Sequence, residues 1–228
     1  MGIVGENLVK IKNELSREVV LVAVSKTKPN ADIMDAYQTG HRVFGENKVQ
    51  ELVKKYEELP KDIEWHFIGH LQTNKVKYLA PFISMIHAVD SLKLLSTIHS
   101  EALKNNRVIP CLLQCKIAVE DTKYGMAPED IHNLLRSESF AEIKAARIVG
   151  MMGMATFTDN LDQVKKEFSG LSALFRALKS AYFFDDKDFT VLSMGMSHDY
   201  QVALREGSNM IRIGSSIFGE RNYNNSTE

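Results

Sequence analysis

Four places in this sequence carry residue types able to do chemistry. The first is Lys26, in Ser25-Lys26-Thr27-Lys28-Pro29, directly after the apolar run Val19-Val20-Leu21-Val22-Ala23-Val24. Pro29 cannot continue a central ladder, so Lys26 falls at the C-terminal end of a strand. A lysine partly desolvated there holds its proton less tightly and can form a Schiff base with an aldehyde; read otherwise, it is a solvated loop cation. The second is Gly214-Ser215-Ser216, following the run Met210-Ile211-Arg212-Ile213, together with Ser193-Met194-Gly195-Met196-Ser197. Small residues let backbone N–H groups and hydroxyls approach an anion, which would make a phosphate pocket. The alternative is two tight turns with helix caps, Ser197 as N-cap and Asp199 in the first turn. The third is Arg212, a charge inside a short apolar run, which must meet an anion, an ion-pair partner or a strong acceptor. The fourth is Asn47, in Phe44-Gly45-Glu46-Asn47-Lys48, placed to orient a ligand hydroxyl or to cap the following helix.

Other polar residues read as structural. His66 and His70 stand at the two ends of one strand segment with no Cys or Asp cluster beside them, so no metal is expected. Met151, Met152, Met154, Met194 and Met196 fill core gaps. Lys123-Tyr124-Gly125 and Gln72-Thr73-Asn74-Lys75 read as polar loops, and Lys48, Lys54, Lys55, Lys61, Lys75 and Lys77, interleaved with acids, as solvated helical faces.

Positioning these residues requires a scaffold, and the periodicity supplies one. Strand-like runs recur at Val19–Ser25, Arg42–Gly45, Trp65–Gly69, Met85–Ala88, Cys111–Lys116, Ile148–Met151, Thr190–Ser193 and Met210–Ile213. Helical patterns separate them at Ala31–Thr39, Lys48–Leu59, Asn74–Leu79, Ser91–Lys104, Pro128–Leu135, Asn160–Ala181 and His198–Glu206, and Gly5–Leu15 precedes the first strand. Several runs are apolar throughout, as parallel strands buried on both faces require. Eight βα repeats in 228 residues predict an α/β fold, a single-domain (β/α)8 TIM barrel over 1–228 with an extra N-terminal helix. A doubly wound sheet would show a glycine-rich turn after its first strand, and none is present. In such a barrel, chemistry sits at the C-terminal strand ends, with phosphate sites after strands seven and eight. Lys26, Asn47 and the two small-residue loops all fall there.

Composition narrows the partners. With 44% hydrophobic and 25% charged residues the chain is of ordinary globular make-up. Its 28 basic and 29 acidic residues give a net charge of −1, so no basic field favours nucleic acid. No apolar run approaches the roughly 18 residues of a membrane span, and the N-terminus is polar too soon for a signal peptide. Cys111 and Cys115, four apart on one strand, lie about 13 Å apart and cannot bridge. A reduced, cytoplasmic protein is expected.

Seven segments in order resemble one family, the pyridoxal-phosphate homeostasis proteins (the YggS/PROSC family): Val22-Ala23-Val24-Ser25-Lys26-Thr27-Lys28-Pro29, Phe44-Gly45-Glu46-Asn47, Trp65-His66-Phe67-Ile68-Gly69-His70-Leu71-Gln72-Thr73-Asn74-Lys75, Lys123-Tyr124-Gly125-Met126, Gly150-Met151-Met152, Leu192-Ser193-Met194-Gly195-Met196-Ser197 and Arg212-Ile213-Gly214-Ser215-Ser216-Ile217-Phe218-Gly219. The resemblance implies a barrel like the N-terminal domain of alanine racemase (PLP fold type III-like), without the C-terminal β domain, carrying pyridoxal 5′-phosphate (PLP). It implies that Lys26 forms the Schiff base, that Ser193, Gly214 and Ser215 hold the phosphate, that Arg212 faces the pyridine nitrogen and that Asn47 lies beside the ring. Two departures are visible: a shorter stretch before the first strand, and Arg221-Asn222-Tyr223 where Arg-Asp-Tyr is usual.

Function follows from the arginine and from what accompanies it. A cationic arginine facing the ring nitrogen disfavours its protonation and weakens PLP as an electron sink. Racemisation also needs a second acid/base, which racemases take from an additional domain; with the sequence ending at Glu228, none is expected here. The resulting expectation is intracellular PLP homeostasis or delivery instead of catalysis, with apo PLP-dependent enzymes as candidate recipients. The alternative is a small PLP-dependent amino-acid racemase using Tyr124 or Tyr223, and a third class is a barrel for another sugar phosphate.

Overall fold

Eight parallel strands close on themselves in sequence order. They are β1 (Val20–Val24), β2 (Val43–Glu46), β3 (Glu64–Phe67), β4 (Met85–Val89), β5 (Ile109–Lys116), β6 (Ala146–Met154), β7 (Val191–Ser193) and β8 (Met210–Ile213). Pairing of β1 with both β2 and β8 closes the ring, with Val22 opposite Arg212 and Ala23 opposite Phe44. The computed structural model describes residues 1–120 and 123–220. Arg221-Asn222-Tyr223 lies outside them.

The helices follow the expected order: α1 (Ile3–Glu14), α2 (Asn30–Gln38), α3 (Val49–Glu58), α4 (Val76–Leu79) after a 3-10 turn, α5 (Leu92–Lys104), α6 (Pro128–Arg136), α7 (Glu138–Ala141), α8 (Leu161–Tyr182), α9 (Tyr200–Arg205) and α10 (Ser215–Phe218). The extra N-terminal helix, α1, buries Val4, Leu8 and Ile11 on one face. Its first turn has no cap of its own. Asp35 on α2 supplies one instead, accepting from Gly2 N at 2.5 Å and Gly5 N at 2.9 Å, and these bonds hold the carboxyl below the usual carboxylate range. The short helix α7 was not expected. It begins where the Ser137 hydroxyl accepts from Phe140 N and caps it.

Alternation along the strands divides the sheet into two faces. Leu21 and Ala23, Trp65 and Phe67, Cys111, Leu113 and Cys115, and Ile211 and Ile213 point outward into the main core beneath the helices. Their neighbours point into the barrel: Val22, His66, Gln114, Ser193 and Arg212, alongside the separate apolar cluster of Ala88, Leu112, Val149 and Met152. The barrel interior is therefore apolar in part and polar at selected positions. Both cysteines are buried and unbridged, as the strand spacing requires. Among the described residues, no helix is long and apolar enough to cross a membrane.

Candidate functional site

A cavity of about 430 Å³ opens at the C-terminal strand ends. Lys26, Asn47, Arg212, Gly214 and Ser215 all line it, so β8 and the loops after β1, β2 and β8 meet in one place.

The turn carrying Lys26 is held on both sides. Lys28 N donates to Ser25 O at 3.0 Å, and Thr27 adopts a left-handed φ of 64°, the third position of a tight turn that glycine ordinarily takes. Thr27 N donates to Glu51 Oε1 at 2.6 Å, and the Ser25 hydroxyl to Glu46 Oε1 at 2.6 Å. Lys55 joins these groups: its Nζ donates to Ser25 O at 2.9 Å, Glu46 Oε1 at 2.8 Å and Glu51 Oε1 at 2.7 Å. Lys55 is thus no solvated helical cation but a buried one, which corrects the reading of that face. Its position on α3, one turn after Glu51, points it at the β1–α2 turn. Burial raises the Glu46 carboxyl while Lys55 and Ser25 oppose the rise.

Asn47 is placed by what Gly69 lacks. A Cβ on Gly69 would stand 2.4 Å from Asn47 O and 2.8 Å from its Cβ. Lys48, not Asn47, occupies the cap position of α3, and no side chain caps that helix. Of the two roles open to Asn47, capping is the one the structure does not give it.

Arg212 is buried on the cavity floor, where Nη1 donates to Ser193 Oγ at 2.7 Å and Nη2 to Gly153 O at 3.0 Å. No carboxylate pairs with it among the described residues, so a neutral hydroxyl and a carbonyl take the place of an ion pair. Burial brings its pKa down to about 10, against the field of Asp199. Two side-chain bonds leave three guanidinium donors unspent among the described residues. Ser193 itself is fully buried beneath Arg212 and is not among the cavity-lining residues.

Ser197 takes the lining position, and it does not cap α9. Asp199 occupies the N-cap position of α9, and its Oδ1 accepts from Met196 N at 2.6 Å. The positive φ of Gly195, 99°, turns the chain so that the Ser197 hydroxyl faces the start of α10, accepting from Gly214 N at 3.2 Å and Ser216 N at 3.5 Å. The two small-residue loops therefore converge, with backbone amides and hydroxyls gathered at one wall.

Several lining residues escaped the sequence reading, and Tyr124 entered it only as a base for the racemase alternative. Gln114, buried on β5, donates to Tyr124 O at 2.9 Å; a glutamine inside Cys111-Leu112-Leu113-Gln114-Cys115 was the available signal. His70 and Tyr124, read as loop residues, stack with ring centroids 4.3 Å apart at the lip, and His70 Nδ1 lies 3.1 Å from Asp90 Oδ2. Met154 and Met196 line the cavity, whereas Met151, Met152 and Met194 fill the core as expected.

The family model described as the alanine racemase N-terminal domain matches residues 3–222. The pyridoxal phosphate homeostasis protein of Aquifex aeolicus is 42% identical over 204 residues, 89% of this chain and 87% of that one. The chain belongs to this family. The mouse pyridoxal phosphate homeostasis protein is 40% identical over 214 residues, spanning 89% of this chain and 77% of its own length. Among solved structures, PipY of Synechococcus elongatus without PLP superposes with a TM-score of 0.88 at 33% identity, over 95% of this chain and 100% of that chain; PipY with PLP bound gives 0.85. Alanine racemase from E. faecalis, at 16% identity and a TM-score of 0.70, shares the barrel fold over 60% of its length. The homeostasis-protein fold is accordingly the (β/α)8 barrel that the repeat pattern predicted.

Proposed function

We propose that this protein binds PLP at the C-terminal mouth of its barrel and serves the cell's PLP homeostasis or delivery, with apo PLP-dependent enzymes as recipients. The observation that carries the reading is the convergence of Lys26, Asn47, Arg212, Gly214 and Ser215 on one cavity whose size suits a small cofactor. The PLP-bound structure of PipY, a relative of the same fold, supports it.

The residues present fit the group. When bound, PLP supplies an aldehyde that a lysine amine captures reversibly as a Schiff base. Lys26 is the lysine placed for it, on a turn fixed by Glu46, Glu51 and Lys55. The backbone amides of Gly214 and Ser216, which donate to the Ser197 hydroxyl in this structure, and the Ser215 hydroxyl form the wall where a phosphate would take the place of the Ser197 oxygen. In this reading Ser193 acts through Arg212 and not on the phosphate. Arg212 presents an unneutralised cation to the cavity, which keeps a ring nitrogen facing it unprotonated and so disfavours carbanion chemistry.

The test is borohydride reduction of protein incubated with PLP, followed by mass mapping. A phosphopyridoxyl adduct on Lys26, abolished in Lys26→Ala, is expected; adducts scattered over surface lysines would overturn the reading. Transfer of PLP to an apo-enzyme faster than release into solution is the expected signature of delivery. The enzyme alternative retains one observation in its favour, since Tyr124 lines the cavity. Solvent-deuterium exchange at Cα of offered amino acids separates the two readings, and none beyond the rate of free PLP is expected.

A further inference from the structure

Two histidines lie inside the barrel without a part in the site as described so far. His66 on β3 and His87 on β4 are both buried, with His66 Nδ1 2.9 Å from His87 Nε2. On its other side His87 Nδ1 is 3.3 Å from Ser193 Oγ, which accepts from Arg212 Nη1 at 2.7 Å. The four side chains form a line across the barrel from β8 to β3.

The chemistry of the groups fixes the direction of that line. Arginine can only donate, so Ser193 Oγ accepts from it and its own single proton is left to give. Ser193 Oγ has a second lone pair and could accept from His87 as well, but its buried proton would then have no acceptor among the described hydrogen bonds; donating to a His87 Nδ1 that carries a lone pair satisfies every group. A neutral imidazole with a bare Nδ1 carries its proton on Nε2, and that proton points at His66 Nδ1. Donation runs Arg212 to Ser193 to His87 to His66. Burial holds both rings neutral: His66 is brought down to about 3, and His87 lies well below the usual histidine range, with the charges of Arg212 and His66 adding to the effect. Asp199 is the acidic group whose field reaches Arg212.

We infer that His87, backed by His66, is the positioning residue for Arg212, fixing the guanidinium through Ser193 with a chain of neutral groups so that its full charge faces the ligand. A carboxylate in the same place would anchor the arginine equally well but cancel the charge that acts on the cavity. A neutral relay anchors without cancelling. The inference rests on the PLP reading for the identity of the ligand, but the tautomers do not depend on it.

Two measurements test it. The first is histidine 15N–1H NMR on the wild-type protein without ligand: His87 and His66 are expected to carry a proton on Nε2 and none on Nδ1 between pH 6 and 8. A protonated His87 Nδ1, or either ring as imidazolium in that range, would overturn the inference. The second uses PLP labelled with 15N in the ring. His87→Leu is expected to raise the pH at which the ring nitrogen takes up a proton by about one unit, a tenfold change in proton affinity, and to weaken PLP binding several-fold. His87→Gln can accept from Ser193 through its amide oxygen and donate through its amide nitrogen, and is expected to restore both. Unchanged ring protonation in His87→Leu overturns the positioning role. Failure of the wild type to bind PLP overturns the function proposed above, and the NMR result then stands by itself.

Discussion

Lys55 Nζ lies 2.8 Å from Glu46 Oε1, and the two side chains are only 6% and 0% exposed. The pair sits beneath the turn carrying Lys26 and bonds its backbone at Ser25 O. Burying two charges contributes little net stability, but removing one partner leaves the other uncompensated, at about 3–5 kcal/mol. Lys55→Met is expected to lose that much at pH 8 by urea unfolding. The loss should shrink toward pH 5. Burial already raises Glu46, and a raised carboxyl is most comfortable protonated, so the penalty appears as pH rises through its folded-state value. An equal loss at both pH values would sink this account.

Acid sensitivity is expected from three buried histidines. Burial brings His41 down to about 4 and His66 to about 3, and His87 also lies well below the usual range. Each is depressed in the folded state, so the unfolded chain binds more protons once pH drops below about 6.5. Their stabilising contribution is present above that pH and is lost on the way down toward pH 3 to 4. The slope should reach about 1.4 kcal/mol per pH unit for each histidine. Denaturant titrations from pH 7 to pH 5 on the wild type and on His41→Gln check it, the variant being shallower by one histidine's share.

How much of this was legible in the sequence differs between the barrel and its site. Strand positions show because a parallel strand buried on both faces is an unbroken apolar run, as in Val20–Val24, and β8 even matches its expected bounds. β6 runs longer than expected, Ala146–Met154 against Ile148–Met151, and it carries two glycines, Gly150 and Gly153, at positions the barrel needs bare. A Cβ on Gly150 would stand 1.8 Å from Val191 O. Lys26 and Arg212 were visible because a charge at the end of, or inside, an apolar run demands a reason. Lys55 was not, since its pattern on α3 matches that of any solvated lysine and only the distant Ser25 and Glu46 reveal its burial. The support behind Arg212 was equally hidden: its partner Ser193 and the His87 that meets that serine are 106 residues apart.

Gly69 tests whether Asn47 needs the place it has. Alanine there would put a Cβ 2.4 Å from the backbone oxygen of Asn47, and backbone cannot give way cheaply. Gly69→Ala is expected to cost about 1–3 kcal/mol through strain and to weaken PLP binding, since Asn47 lines the cavity. Gly170, inside α8 with nothing within 4 Å of an added Cβ, is the control. Gly170→Ala should gain up to about 1 kcal/mol from helix propensity and leave PLP affinity unchanged. Thermal melts with and without PLP distinguish the two sites; equal affinities in both variants would show that Asn47 takes no part.

Thr27 tests whether the Lys26 turn is set in advance. A β-branched residue at φ 64° costs about 1–2 kcal/mol relative to ordinary backbone. Glycine removes that strain but adds freedom to the unfolded chain worth about 0.5–1 kcal/mol, so Thr27→Gly should change stability by less than about 1 kcal/mol. Affinity should respond more than stability. The threonine confines the turn to one conformation, and a glycine lets Lys26 sample directions away from the cavity, so PLP binding should weaken several-fold. Asparagine tolerates the left-handed region while keeping a side chain, and Thr27→Asn is expected to retain wild-type affinity. Equal affinity in Thr27→Gly would instead assign the turn wholly to the bonds from Glu51, Lys55 and Lys28 that converge on Ser25 and Thr27, because those bonds involve backbone atoms that any residue supplies.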